Sequence, residues 1–199
     1  MRARRGSLGL WAAAMMLAST PAMAGSLDRE VLDEINYARA HPADYAQVLR
    51  DTRAEDDRYG GVGAEAREEA IAFLERQQPL PPLAANPILA TTAAEHTAGQ
   101  GPTGLIGHRS ADGASPSERI HRHGAWPIMS AETISYGYDT AGEVVRQLII
   151  DYGVANRGHR AILFNASLQT AGAGCGPHTV YQHMCVIDFA GGPARFSER

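Results

Sequence analysis

The sequence predicts an α+β domain in which a sheet lies between helical layers. Three observations lead there. Helical periodicity dominates the first two-thirds of the chain, and two strand-like runs close it at 167–176 and 179–190. The second run is apolar or aromatic on both faces, with Val180, Met184 and Val186 on one and Tyr181, Cys185, Ile187 and Phe189 on the other, which suits a central strand covered on both sides. No internal repeat, low-complexity tract or linker divides the chain.

Each element has its own local signal. Ser26 can cap a helix that carries Leu27, Val31, Ile35 and Ala38 on one face and stops before Pro42. Pro42 opens a second short helix over 42–50, with Tyr45, Val48 and Leu49 turned inward. The segment 51–63 is charged and glycine-containing and reads as an exposed connection. A helix over 64–77 buries Ala70, Ile71 and Leu74, after which prolines at 79, 81 and 82 force an extended path. Asn86-Pro87 is a capped helix start, and the helix places Ile88, Leu89, Ala93 and His96 on one stripe before the glycines at 99 and 101. His96 on that stripe reads as a hydrogen-bonded core residue.

After a loop over 101–113, Ser115-Pro116-Ser117-Glu118 is a capping box opening a helix to about His123. A strand is expected over 127–136. Thr140-Ala141-Gly142-Glu143 is a second capping box, starting a helix with an apolar face of Val144, Val145, Leu148, Ile149 and Tyr152. Residues 161–164 read as a short helical turn, and 176–178 as the turn between the two closing strands.

The N-terminus reads as an export signal over 1–24. Arg2, Arg4 and Arg5 precede an apolar run from Leu8 to Leu17, too short for a stable membrane anchor, and Ala22-Met23-Ala24 supplies the cleavage pattern. Residues 25–199 would then form a single domain, with no transmembrane segment, expected to be a monomer. Loss of three arginines and no acid makes the mature chain more acidic than the formal charge of −4, which argues against a nucleic-acid partner. All 18 basic residues are arginine, so lysine chemistry is excluded. The two cysteines, Cys175 and Cys185, read as a structural disulfide in a periplasmic or extracellular protein.

No nucleophile elbow, phosphate loop, His-Glu-x-x-His helix or dinucleotide fingerprint occurs. Histidine and carboxylate chemistry remains. His108 and His159 each stand between a glycine and an arginine, and glycine allows close backbone approach or a positive φ. Glu132 is a carboxylate in an otherwise apolar strand and needs partners there. Asp151 ends a helix where the macrodipole disfavours an acid, which suggests a cationic or metal partner. Two imidazoles and a carboxylate could bind a divalent metal, zinc, magnesium or calcium, through His108, His159 and Glu132, or the same groups could form a buried hydrogen-bonded network.

The ordered set Asn36-Tyr37-Ala38-Arg39, Pro82-Leu83-Ala84-Ala85-Asn86, Ala94-Glu95-His96-Thr97, Gly107-His108, Asp112-Gly113, Pro116-Ser117-Glu118-Arg119, Ala131-Glu132, Gly158-His159-Arg160 and Gly172-Ala173-Gly174 resembles the CAP superfamily. This superfamily, also called SCP-like, comprises cysteine-rich secretory, antigen 5 and pathogenesis-related 1 proteins. The form Ile-Asp-Tyr-Gly-Val with Arg-Gly-His-Arg looks like a bacterial branch. The resemblance implies a three-layer α-β-α sandwich with a central, mainly antiparallel sheet. It also implies a surface cleft whose two histidines and two acids fall on His108, Glu132, Asp151 and His159. The chain departs from the family pattern at Asp151, where fuller tetrads have glutamate, and at Glu132-Thr133, where Glu-Asn is usual. The Cys175–Cys185 pair is not the disulfide set of the animal members.

What the resemblance implies for function is foremost a binding module for a divalent metal, a lipid, a sterol, another small molecule or a cell-envelope component. A metal-dependent hydrolase of peptide or envelope material is the alternative, with Glu132 and His159 as the residues that would catalyse, and a non-catalytic envelope protein is a third. Exported protein is expected to begin near Gly25; intact-mass measurement checks this, and an uncleaved terminus would refute it.

Overall fold

The computed structural model describes residues 26–52, 63–192 and 195–196. The expected signal segment 1–24 and the greater part of the connection 51–63 lie outside the described residues. The chain folds as α1 (Ser26–Ala40), α2 (Pro42–Asp51), α3 (Ala64–Arg76), β1 (Ala84–Ala85), α4 (Pro87–Gln100), α5 (Pro116–Arg122), β2 (Ala125–Trp126), β3 (Met129–Tyr136), α6 (Ala141–Ile150), α7 (Gly158–Leu163), β4 (Thr170–His178), β5 (Gln182–Gly191) and β6 (Arg195–Phe196). The main sheet has the order β1-β4-β5-β3, with β1 parallel to β4 and the other pairs antiparallel. Strands β2 and β6 form a separate antiparallel pair.

Helices cover both faces of the sheet. Alternation along β5 turns Cys185, Ile187 and Phe189 into a large core with Val31, Ile35, Leu49, Leu74, Val145, Leu148 and Ile149 from α1, α2, α3 and α6. On the opposite face Met184 and Val186 meet Ala93 of α4 and Ile134 of β3, and Ala190 meets Leu89 and Ile120. This is the three-layer α-β-α sandwich. Among the described residues no helix is long and apolar enough to cross a membrane.

Local chemistry sets most boundaries. Asn86 accepts from the Ile88 and Leu89 amides at the start of α4, and Ser115 with Glu118 completes a reciprocal capping box at α5. Thr140 accepts from the Glu143 amide at the start of α6. The proline-rich segment is pinned by α1: Asn36 exchanges two hydrogen bonds with the Leu83 backbone, and buried Arg39 donates to the carbonyls of Pro81 and Leu163. Cys175 and Cys185 stand directly opposite each other in the β4–β5 ladder and form a disulfide.

Three expectations are corrected. The strands expected at 167–176 and 179–190 run at Thr170–His178 and Gln182–Gly191, because the turn falls at 179–181. There the His178 Nδ1 accepts from the Val180 and Tyr181 amides, so Val180 and Tyr181 are exposed rather than on strand faces. Tyr152 lies beyond the end of α6, exposed, and not on its apolar face. The strand expected over 127–136 begins only at Met129, leaving Ile128 exposed before it.

Two glycines let α4 lie against the sheet at backbone distance. A Cβ added at Gly172 would overlap the Ala90 backbone, and one at Gly174 the Ala94 backbone. Gly99, on the same helix, has nothing near its missing side chain. Gly174→Val is therefore expected to lower stability by about 3 kcal/mol in chemical denaturation, through overpacking. Gly99→Ala should instead raise it by about 0.5 kcal/mol.

Candidate functional site

Glu132 sits mid-strand in β3, on the sheet face toward α4, with its side chain only 1% exposed. Its two oxygens are taken by different partners. Oε1 accepts from His108 Nδ1 at 2.7 Å, and Oε2 accepts from the buried Arg119 guanidinium of α5. The need for partners that a lone acid in an apolar strand creates is thus met by one imidazole and one guanidinium. The His108 side chain remains 53% exposed, and its Nε2 makes no hydrogen bond among the described residues. The Glu132 hydrogen bond is the largest influence on His108 and raises its pKa above the ordinary 6.5, against the opposing effect of burial.

The loop that carries His108 is held from several sides. Gly107 has φ near +100°, and its carbonyl accepts from His96 Nε2 at 2.9 Å and from Gln100 Nε2 at 2.7 Å. Its amide donates to the Tyr136 hydroxyl at 2.9 Å, which itself donates to Gln100. Arg119 also donates to the His108 carbonyl at 3.0 Å and to Ser110. His96 is buried and hydrogen-bonded, as expected for a core histidine. Its pKa is lowered, chiefly by burial.

The second pair is built locally. Asp151 closes α6 in the left-handed region, φ 55°, a conformation that aspartate tolerates better than most residues. Its side chain is fully buried. Oδ1 accepts from His159 Nδ1 at 2.7 Å, while Oδ2 accepts from the His159 amide at 2.9 Å. The acid that the dipole of α6 disfavours therefore serves the start of α7, where the backbone amides favour a negative charge. Gly158 has no positive φ; that conformation falls on Arg157, φ 48°, whose guanidinium donates to the Asp151 carbonyl and pairs with Glu69. The His159 side chain is 19% exposed.

The four predicted residues form two hydrogen-bonded pairs, His108–Glu132 and Asp151–His159; Glu132 lies on edge strand β3, and the helices α6 and α7 on either side of the second pair pack against that strand. Among the described residues no three of His, Cys, Asp and Glu converge on a common metal position. Each Glu132 oxygen accepts one hydrogen bond, and the bond at Oε1 orients the His108 ring. What fits a metal is the presentation of the imidazoles: each is held through Nδ1 by a carboxylate, the arrangement that supports ligation through Nε2. Arg119 and Asp188 were not foreseen as part of the site. Asp188 lies directly opposite Glu132 on β5, and the rule that singled out Glu132, an acid in an apolar strand, would have found it.

A model of the cysteine-rich secretory protein family, CAP, matches residues 32–189. No curated protein matches the chain. Similar solved structures include an extracellular protein with an SCP domain from Bacillus anthracis, 21% identical, TM-score 0.46, covering 57% of this chain and 35% of that one. An outer surface protein of Borrelia burgdorferi is 20% identical, TM-score 0.49, covering 65% and 89%. A cysteine-rich secretory protein of Staphylococcus aureus is 13% identical, TM-score 0.42, covering 64% and 38%. The chain thus spans about a third of the length of the Bacillus protein.

Because Glu132 raises the His108 pKa, their pairing adds stability that is full below about pH 6.5 and fades as pH rises through the higher folded value. Glu132→Gln is expected to lower the His108 pKa, read by NMR of its ring. It should also cost about 3–5 kcal/mol in denaturation, because Arg119 loses its buried counter-charge.

Proposed function

The chain belongs to the cysteine-rich secretory protein family, CAP, and from that membership we propose that it is an exported binding protein whose site is the paired His108–Glu132 and Asp151–His159. One observation carries this reading: two imidazoles are each fixed through Nδ1 by a buried carboxylate at 2.7 Å, with no hydrogen bond at Nε2 among the described residues. Such a pair can hold a divalent cation, or a ligand's acidic or carbonyl oxygen, without a nucleophile of its own. His108 and His159 would hold the cation, and Glu132 and Asp151 would orient them. A bound cation would supply Lewis acidity and a coordination position for a ligand oxygen.

The surroundings suit a ligand with an apolar part. Leu105 and Ile106, immediately before Gly107-His108, are 50% and 61% exposed, and Tyr152, immediately after Asp151, is 55% exposed. Exposed apolar side chains next in sequence to each of the two pairs favour an amphipathic small molecule or lipid over a purely ionic ligand. Export rests on the N-terminal segment and on the disulfide, which persists in oxidising compartments.

Calorimetric titration with zinc, then with magnesium and calcium, tests the site. Binding of zinc is expected to be lost in His108→Ala/His159→Ala and weakened about 10–100-fold in Glu132→Gln or Asp151→Asn, which disturb the acids that orient the rings. Absence of metal binding to the unaltered protein, or affinity unchanged in the double variant, would refute the cation reading.

A further inference from the structure

The register of β3 and β5 sets a second acid beside Glu132. Asp188 is its Cα partner across the ladder, and directly opposed residues project to the same face of a sheet. Asp188 is completely buried. Its Oδ2 accepts from Thr92 Oγ1 of α4 at 2.6 Å, whereas Oδ1 has no donor among the described residues. An ionised carboxylate with one oxygen unsatisfied in the protein interior is expensive. A carboxylic acid in the same place needs no donor at Oδ1, because it can donate from there, and Glu132 is its direct neighbour across the ladder on the same face. Glu132 is the member that must stay charged, since its oxygens already accept from His108 and Arg119.

We propose that Asp188 is the proton-bearing member of a buried acid pair, donating to Glu132 and fixing that carboxylate for its bond to His108. Asp188 is thereby a positioning residue of the site and touches no ligand itself. The groups around it agree in direction. Burial, and then repulsion from Glu132, push the Asp188 carboxyl up to about 7, against the opposing influences of Thr92 and Arg119. The charged and titratable groups nearby are Glu132 on β3, Arg119 on α5, His108 in the loop before it, and His96 a turn beyond Thr92 on α4. The inference goes beyond the binding function and holds whether or not the site takes a metal.

The sign of the pH dependence follows. A carboxyl whose pKa rises from 3.8 unfolded to about 7 folded keeps a proton in the folded chain that the unfolded chain has lost. Stability therefore falls as pH rises through that window, by up to about tenfold in the folding constant per pH unit, and levels off above it. Asp188→Asn, whose amide can make the same donation but cannot ionise, should lack that decline when both proteins are denatured over the same pH series. Parallel stability profiles would overturn the proposal. Carbon-13 NMR of the carboxyl groups in the unaltered protein needs no variant: Asp188 is expected to titrate near 7, and titration near 3.8 would overturn the proposal as well. For the positioning role, the downfield Nδ1 proton of His108 should persist in Asp188→Asn and weaken in Asp188→Ala. Its loss in both, or its full persistence in both, would remove that role.

Discussion

A carboxylate buried in the middle of an edge strand constrains much of what surrounds it. Glu132 cannot remain charged at 1% exposure without donors, and each donor comes from a different part of the chain. Arg119 reaches it from α5, whose start is fixed by the capping box of Ser115 and Glu118. His108 reaches it from the long loop before α5. The guanidinium that neutralises Glu132 also donates to the His108 carbonyl, to Ser110 and to the Ala114 carbonyl, so one arginine ties together strand, helix and loop. The demand of a single buried charge is answered by tertiary structure rather than by any local motif.

Short-range chemistry was the part of the fold most legible in the sequence. Asn86-Pro87 and Ser115-Pro116 announced helix starts that the structure places there, because caps act over three or four residues. Glu132 stood out because charge in an apolar strand is conspicuous. Asp188 follows the same rule, but Met184, Val186, Ile187 and Phe189 around it give the strand the look of a uniformly apolar one. Val180 and Tyr181 look like strand residues by type, yet the His178 ring captures their amides and bends the chain before β5 begins. Strand β1 has only two residues and exists through its pairing with β4, a contact between residues 86 positions apart that no local pattern discloses.

The two histidine–acid pairs reach the same geometry by different routes. Asp151 and His159 are eight positions apart, and the acid joins the end of one helix to the beginning of the next, so this pair belongs to the α6–α7 corner. His108 and Glu132 are separated by a loop, a helix and a strand start, and their contact exists only when α5 and the sheet are assembled. A shorter acid than glutamate suffices at position 151 because the backbone itself, in the left-handed region, brings the carboxylate to the ring.

The Gly107 peptide, bonded at its carbonyl by His96 and Gln100 and at its amide by Tyr136, bears on binding thermodynamics. A loop histidine ordinarily loses backbone and side-chain freedom when it captures a ligand, and that lost entropy is subtracted from affinity. Here the backbone bonds that order the loop belong to the folded chain itself. The half-exposed imidazole of His108 thus stands on a peptide hydrogen-bonded at both its carbonyl and its amide, so any ligand proposed to bind there would meet a loop whose backbone bonds are already made.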